Sequence, residues 1–413
     1  MKSKNKSSLA ARACLGAAIV AVPSLLHGQS ADSARLERLE NENRELKQRF
    51  ESLEHLATKE GIVPGQSGAS SLKVLSESQL SGFVSASFFH DTSNPPGGVS
   101  PGYLWNRRSD SFSLNKVKLT LASPAVERSG DKFSAAYRAS LIFGQDAPIV
   151  NSGSGMVGFE NLREAYVEMN VPVGTGLNVK AGELISLLNY ESGDGGAAND
   201  NFSQGYQWFY TGNGPAAGVQ VGYTLTDWLD VKLRAQNGLY AGPIDNNDSK
   251  TGVIAFGIKP SDKVWLNLIG FTGREDAFSK MVHGGSLLSG WQINEKLHFG
   301  AELDYFNFRS AAKDSEVWSA GGWLSYAITD KVLPSVRVEF LSDKNGADIS
   351  GDPLGFALNG GQDIASVAFT LNIKPVPNIK IQPEVRYDHT SLAKGFGTKT
   401  DRVVLGIGVS YLF

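Results

Sequence analysis

The sequence predicts an all-β fold, a 16-stranded antiparallel transmembrane β-barrel, with an N-terminal coiled-coil helix placed in the periplasm. Three observations lead to this prediction. Residues 401–413 alternate large apolar side chains with mostly small ones and end on Phe413. From residue 80 onward the chain divides into short segments of the same alternating kind. Short and long connections separate these segments in turn, as in bacterial outer-membrane barrels, where lipid-facing and lumen-facing residues alternate along each strand.

The composition agrees with a membrane barrel although it resembles that of a soluble protein. The chain is 41% hydrophobic and its mean hydropathy is −0.17. A spanning helix needs about 20 consecutive apolar residues, whereas a spanning strand needs apolar residues on its outward face alone. A barrel can therefore cross a membrane with half of its strand residues polar.

Residues 1–28 predict a secretory signal peptide. Lys2, Lys4, Lys6 and Arg12 precede an uncharged stretch, residues 13–26, and small residues follow. Cys14, the single cysteine, falls inside this segment, so the mature chain would need no disulfide. Removing four positive charges gives a mature net charge of 35 − 42 = −7, which disfavours nucleic acid as a partner. No cofactor or metal is predicted.

Residues 32–60 predict a coiled coil of about four heptads. The segment is rich in charge, contains neither Gly nor Pro, and carries apolar residues at alternating spacings of three and four. The predicted core positions are Leu36, Leu39, Asn43, Leu46, Phe50 and Leu53. The polar Asn43 would fix register and strand number at a cost in stability. A solvated single helix is the alternative, and residues 61–79, rich in Gly, Pro and Ser, form the predicted linker.

Residues 80–413 predict the barrel. The alternating segments number sixteen: 80–90, 111–123, 132–144, 162–172, 176–186, 216–225, 229–238, 251–259, 263–272, 284–294, 297–309, 316–328, 332–342, 362–374, 378–390 and 401–413. The connections after even-numbered segments are short turns, whereas several after odd-numbered segments are long loops. Because such barrels have short periplasmic turns, this order places the N-terminal helix in the periplasm.

The polar face of these segments predicts the lining of the barrel. A charged side chain facing lipid costs up to about 2–4 kcal/mol at the membrane midplane, so charged residues must face the lumen. A sixteen-stranded barrel is wide enough to hold water. The predicted basic lining residues are Lys116, Lys118, Arg138, Lys232, Arg234, Arg337, Lys380 and Arg386. Mutual pairing across the lumen is the alternative for any one of them.

The third long connection, residues 187–215, predicts a constriction. It is the longest, it contains no Lys or Arg, and its acidic and aromatic residues include Tyr190, Glu191, Asp194, Asp200, Tyr206 and Trp208. If the connection folds into the barrel, its carboxylates would oppose the basic wall and set up a field across the passage. An ordinary surface loop is the alternative.

The stretches from Gly182 to Tyr223 and from Ala235 to Pro260 resemble the OmpL-like β-barrel porin family, as do LNKVKLTL (residues 114–121) and LREAYVEM (residues 162–169). The family pattern matches Gly182, Tyr190, Glu191 and Asn199. This resemblance implies an outer-membrane channel for small solutes. The coiled coil joined to a sixteen-stranded barrel is also similar in architecture to trimeric dicarboxylate and phosphate-type porins.

These patterns predict an outer-membrane homotrimer through which small hydrophilic solutes or ions diffuse passively. Its expected partners are outer-membrane lipid and further copies of itself, with peptidoglycan as a candidate for the helix. The alternative is a plugged, structural barrel tethered through that helix. The chain is not predicted to be an enzyme, although His389 close to Ser391 leaves an outer-membrane lipase as a third hypothesis.

Overall fold

The computed structural model describes residues 38–49, 52, 77–103, 105–150, 159–239, 243–245, 247–275, 281–310, 313–343 and 361–413. The chain forms two compact units, Met1–Ser76 and Glu77–Phe413. The predicted signal peptide, residues 1–28, lies outside the described residues, as does most of the predicted linker.

The first unit contains a helix over residues 38–49, labelled α1. Its surface carries two ion pairs at i,i+4 spacing, Arg38–Glu42 at 3.2 Å and Glu45–Arg49 at 2.7 Å, and such exposed pairs contribute little to stability. Of the predicted coiled-coil core, Leu39, Asn43 and Leu46 lie in α1 and are exposed. Leu36, Phe50 and Leu53 lie outside the described residues. The helix is thus confirmed over these residues, while its association and location stay predictions.

The second unit is a closed barrel in which each strand pairs antiparallel with its neighbours in sequence and β1 pairs with β16. Its strands are β1 (Gln79–Asp91), β2 (Ser111–Ala122), β3 (Ser134–Phe143), β4 (Leu162–Val171), β5 (Leu177–Leu184), β6 (Ala216–Thr226), β7 (Leu229–Gln236), β8 (Thr251–Ser261), β9 (Val264–Arg274), β10 (Met281–Gln292), β11 (Leu297–Ser310), β12 (Lys313–Tyr326), β13 (Val332–Asp343), β14 (Gln362–Ile373), β15 (Ile379–Thr390) and β16 (Asp401–Leu412). The predicted sixteen strands are confirmed, with every bound within three residues of the prediction.

Short helical segments lie in the connections. They are α2 (Ala147–Val150), α3 (Tyr206–Tyr210) and the 3₁₀ turns Pro96–Gly98 and Gly195–Ala197. Short turns and both barrel termini share one end of the barrel, here called the turn end. The opposite end is here called the loop end. There the connection between β11 and β12 is short, in contrast to the predicted alternation of short turns and long loops, because both strands extend beyond their predicted bounds and two residues separate them. Residues 185–215, between β5 and β6, form the longest connection, here called the third loop.

The two faces of the strands differ as the alternation predicted. Along β15 the buried residues are polar or charged, from Lys380 to Asp388, while Val385 and Tyr387 between them are exposed. Along β16 the exposed set includes Leu405 and Ile407, whose apolar side chains suit contact with lipid. The outside of the barrel is therefore apolar and the inside polar in these strands. Among the described residues, no helix combines the length and the apolarity that a membrane span requires.

A β-bulge changes the pattern locally in β2. The register with β1 shifts between Ser85 and Ala86, opposite Asn115. Asn115 and Lys116 are consequently both buried, whereas strict alternation would expose one of them. The extra residue brings an additional amide side chain to the inner face.

Candidate functional site

The third loop packs against the inner face of the barrel. Its backbone and side chains form hydrogen bonds with inward residues of six consecutive strands, β11 to β16, and also with Lys118 of β2 and Arg234 of β7. The strand residues in these contacts include Lys118, Arg234, His298, Glu302, Asp304, Ser319, Trp323, Ser325, Arg337, Glu339, Gln362, Thr370, Asn372, Lys380, Gln382, Glu384, Arg386 and Arg402. The loop is thus fixed along nearly half of the barrel circumference.

An ion pair between Glu191 and Arg337 holds the first part of the loop. The Nη1 atom of Arg337 lies 2.7 Å from Oε1 of Glu191, and both side chains are almost completely buried. The other carboxylate oxygen of Glu191 accepts a hydrogen bond from the backbone N–H of Gly205, and Trp323 donates its indole N–H to Oε1. Glu339 pairs with the same guanidinium at 2.9 Å. Such a network is stable when each buried charge has partners.

Tyr190 occupies an aromatic socket in the wall. Trp265, Gly290, Gly300 and Trp323 are cross-strand partners in one row across β9 to β12. The Tyr190 ring stacks on Trp323, with ring centroids 4.5 Å apart, and on Trp265 at 6.0 Å. A Cβ atom on Gly300 would come within 2.2 Å of Cζ of Tyr190, so the ring requires glycine there. Burial in the socket raises the pKa of the Tyr190 hydroxyl.

A second charged cluster joins the third loop to the β1–β2 connection. Asp388 accepts hydrogen bonds from Arg386 at 2.7 Å, Arg402 at 2.9 Å and the Tyr103 hydroxyl at 2.7 Å. Arg402 also donates to the hydroxyl oxygen of Tyr206. Both guanidinium groups lie over the ring of Tyr103, at 4.5 Å and 4.1 Å from its centroid. These arginines hold two loops together inside the barrel.

The inner wall of β8 to β11 carries an apolar patch among its polar residues, which the pattern of charged residues did not predict. Buried apolar side chains of these strands pack against Leu188 and Tyr210 of the third loop; those of the strands are Val253, Ala255, Ile269, Phe271, Val282, Leu288 and Phe306. A smaller apolar cluster of Trp105, Ile142 and Ala147 packs against Trp208. Charged residues alone do not predict these positions, because the sequence does not show which face of its strand an apolar residue occupies.

Partly exposed ion pairs lie on the inner wall of β3, β4, β5 and β7. Arg138 pairs with Glu164 at 2.7 Å, Lys180 with Glu168 at 3.4 Å and Lys232 with Asp230 at 3.6 Å. The side chains of Arg138, Lys232 and Lys180 are 37%, 29% and 24% exposed. Together we call these three pairs the ion-pair wall. It is the part of the described interior where charged side chains of the strands are most open to solvent.

The structure divides the predicted basic lining residues into two groups. Arg138 and Lys232 belong to the ion-pair wall. The remaining six are buried and bonded to neighbouring groups: Lys116, Lys118, Arg234, Arg337, Lys380 and Arg386. All eight share the inward face of their strands, but the second group anchors loops and neighbouring strand side chains, because burying a cation requires a local partner. Charge alone in the sequence does not distinguish the two groups.

The predicted residues of the third loop are also largely engaged. Asp194 pairs with Lys118 at 2.7 Å and its side chain is 21% exposed. Asp200 accepts a hydrogen bond from the Ser325 hydroxyl at 2.6 Å. Trp208 packs against Trp105, with ring centroids 4.3 Å apart. Tyr190, Glu191 and Tyr206 occupy the sites described above.

Two serines near acidic groups are hydrogen-bonded to groups other than a histidine. The Gly98–Gly102 segment has the spacing G-x-S-x-G, but Ser100 lies between two strands and donates to Asp91 at 2.7 Å, whereas the hydrolase motif requires a strand-to-helix turn. His389 pairs with Asp401 at 2.8 Å, and Ser391 accepts from the N–H of Asp363. Within the described part of the chain, no group of three or more His, Cys, Asp or Glu residues has metal-binding geometry.

Comparison with known proteins gives one family and a set of similar folds. The family model described as "Putative beta-barrel porin-2, OmpL-like" matches residues 77–413. The chain is similar to the loop L8 deletion mutant of OmpT from Vibrio cholerae (TM-score 0.54, 11% identity, covering 81% of this chain and 99% of that one). It is also similar to an anion-selective porin from Comamonas acidovorans (0.54, 10%, 81% and 99%) and to in-vitro folded OmpT in a trimer form (0.51, 10%, 81% and 99%). These identities show likeness of fold. No curated protein sequence matches the chain.

Proposed function

The chain belongs to the OmpL-like β-barrel porin family, and from this premise we propose that it is an outer-membrane porin that lets small hydrophilic or charged solutes diffuse passively through a water-filled lumen. No bond is made or broken in this function. The observation that carries the proposal is the ion-pair wall. Partly exposed pairs such as Arg138–Glu164 on the inner face of a closed barrel need water around them, because charged groups are costly to bury.

The third loop constricts this passage in the proposal. Its contacts with β11 to β16 lie opposite the ion-pair wall in the order of strands, and the proposed passage runs along the ion-pair wall on the side of β3 to β7. Asp194, bonded to Lys118, is the acidic residue of the loop that faces this side with a partly exposed carboxylate. The narrowest part would therefore carry both signs of charge close together, which favours polar solutes over apolar ones.

The assembly around the barrel is also proposed. The exposed apolar band contacts outer-membrane lipid, and three copies associate as in the trimer form of OmpT. Residues 32–60 would strengthen that trimer as a periplasmic coiled coil and reach toward peptidoglycan, after a signal peptide of residues 1–28 has directed export. The exposure of Leu39 and Leu46 on α1 is consistent with a helix that needs a partner.

A plugged structural barrel is the second candidate, and the apolar clusters inside the barrel favour it. Trp105, Ile142 and Trp208 pack together at the inner face of β3, and the third loop fills the side along β11 to β16. If those clusters extend across the lumen, solutes cannot pass, and the protein would act as an envelope tether through its helix.

Liposome swelling separates the two candidates. Refolded mature protein in liposomes should admit neutral sugars and amino acids of increasing size, with a sharp size limit. A deletion within the third loop should raise that limit, while a substitution in a short turn, such as Lys331→Gln, should leave it unchanged. Liposomes that stay impermeable to every solute, although the barrel is folded, would support the plugged barrel instead.

A further inference from the structure

We infer that the passage prefers small anions and that Arg138 determines this preference. The inference rests on the proposed porin function and adds the class of solute to it. It depends on an asymmetry within two ion pairs of the inner wall, Arg138–Glu164 and Lys180–Glu168, in which the cation is more exposed to the passage than its own anion.

The asymmetry is greatest for Arg138. Its side chain is 37% exposed, whereas the carboxylate of Glu164 that it contacts at 2.7 Å is 4% exposed. Glu164 also accepts a hydrogen bond from Ser140, which lies on the same face of β3 and is fully buried. The carboxylate is thus held in the wall, and the guanidinium covers it on the side of the lumen. An ion in the passage meets the positive member of this pair first.

The two neighbouring ion pairs increase the excess of exposed positive charge or leave it unchanged. Lys180 is 24% exposed against 15% for Glu168, which is also held by the amide of Asn178. Lys232 and Asp230 are equally exposed at 29% each.

The opposing charge comes from the third loop. Asp194 is 21% exposed, while its partner Lys118 is 8% exposed. It is therefore the one pair among these four in which the anion is the more exposed member. The remaining pairs of the described interior near this wall, including Lys116–Asp146, have both members buried and contribute little to the field in the passage. Exposed cations outweigh exposed anions on this side of the lumen, with Arg138 as the largest contributor.

An exposed charge acts on passing ions over about 10 Å at moderate ionic strength, because dissolved salt screens it beyond that distance. Close to the guanidinium, an anion gains attraction and a cation meets repulsion, so both contribute to the permeability ratio. Arg also presents a planar set of donors that matches carboxylate and phosphate oxygens. Small carboxylates and phosphate are therefore the solutes whose chemistry this site fits.

Reversal potentials across a planar bilayer with a KCl gradient test the inference. The unmodified protein should pass chloride in preference to potassium. Arg138→Gln should lower the chloride-to-potassium permeability ratio by about two- to fivefold, as expected from Coulomb attraction weakened by salt. Arg138→Lys, which keeps the charge, should retain the preference. Glu164→Gln should raise it, and Lys331→Gln, in an exposed turn, should leave it unchanged.

Inorganic phosphate gives a second readout. It should reduce the chloride current of the unmodified protein more than that of Arg138→Gln. A conducting protein that prefers potassium, or an Arg138→Gln variant with unaltered selectivity, would overturn this inference and leave the porin function intact. A folded protein without conductance would overturn both.

Discussion

Arg337 of β13 and Glu191 of the third loop form an ion pair of 2.7 Å in which neither side chain is more than 3% exposed. The two residues are separated by 146 positions in sequence and join the third loop to a strand of the barrel wall. Because both charges lie away from water, each depends on the other for its compensation. This buried pair therefore links the third loop directly to the barrel wall.

Loss of one member of that pair should be strongly destabilising. Arg337→Met leaves Glu191 and Glu339 buried without their cation, and we expect a loss of about 3–5 kcal/mol in the free energy of unfolding. Denaturant unfolding of the refolded barrel, followed by tryptophan fluorescence, measures it. The double variant Arg337→Met/Glu191→Gln should lose less than the sum of the two single variants. Additive losses would show that the two side chains do not interact.

The aromatic socket predicts that Gly300 cannot carry a side chain. Gly300→Ala would drive its Cβ to within 2.2 Å of Tyr190, and we expect a loss of about 1–3 kcal/mol through overpacking. Gly322→Ala is the matched control, because the nearest atom to its added Cβ is 3.8 Å away. Thermal unfolding of the two variants compares them. Equal melting temperatures would contradict the proposed position of Tyr190.

On the outward face of the barrel, a charged side chain should be more destabilising near the membrane midplane than near the interface. Ile407→Lys puts a charge on the lipid side near the middle of the strand and should destabilise the barrel by about 2–4 kcal/mol. Leu225→Lys, close to the turn end of β6, should cost about 1 kcal/mol or less, since the penalty falls near the interface. Both residues are substantially exposed in the described barrel. Unfolding in lipid vesicles gives the two values, and the reverse order would be inconsistent with this placement in the membrane.

If α1 forms a coiled coil, charges at its predicted core positions should weaken the trimer. Leu39→Asp/Leu46→Asp places charges at two predicted core positions of α1, and we expect fewer trimers in detergent, measured by light scattering after size-exclusion chromatography. Glu40→Asp and Lys47→Arg keep the charges at non-core positions and serve as controls. If the double variant remains as oligomeric as the unmodified protein, the helix does not hold the protomers together.

Much of the fold could be predicted because strand alternation is a local property of the sequence. β15 shows this well, since its polar residues from Lys380 to Asp388 all face inward. The number of strands followed from the same pattern, as did the order of turns and loops except at the short β11–β12 connection. The bulge at Asn115 was not predicted, although the outward apolar residues of β2 change from even positions, up to Leu114, to odd positions from Val117 onward.

The candidate site could be predicted less completely. The sequence indicated that Arg138 and Arg386 face the interior, but not that Arg386 is covered by two loops while Arg138 is open to solvent. That distinction depends on contacts between residues far apart in the chain, such as Tyr103 with Asp388. The apolar inner patch around Phe271 and Phe306 was not predicted for the same reason. Its side chains pack against residues of the third loop, which are distant in sequence.

The central claim is that a water-filled passage crosses the barrel beside the ion-pair wall, and single-channel recording of the refolded mature protein tests it most directly. We expect stepwise openings in a planar bilayer, grouped in threes if the protein is a trimer, with a conductance that rises when the third loop is shortened. A correctly folded protein that produces no openings, with or without the third loop, would contradict it.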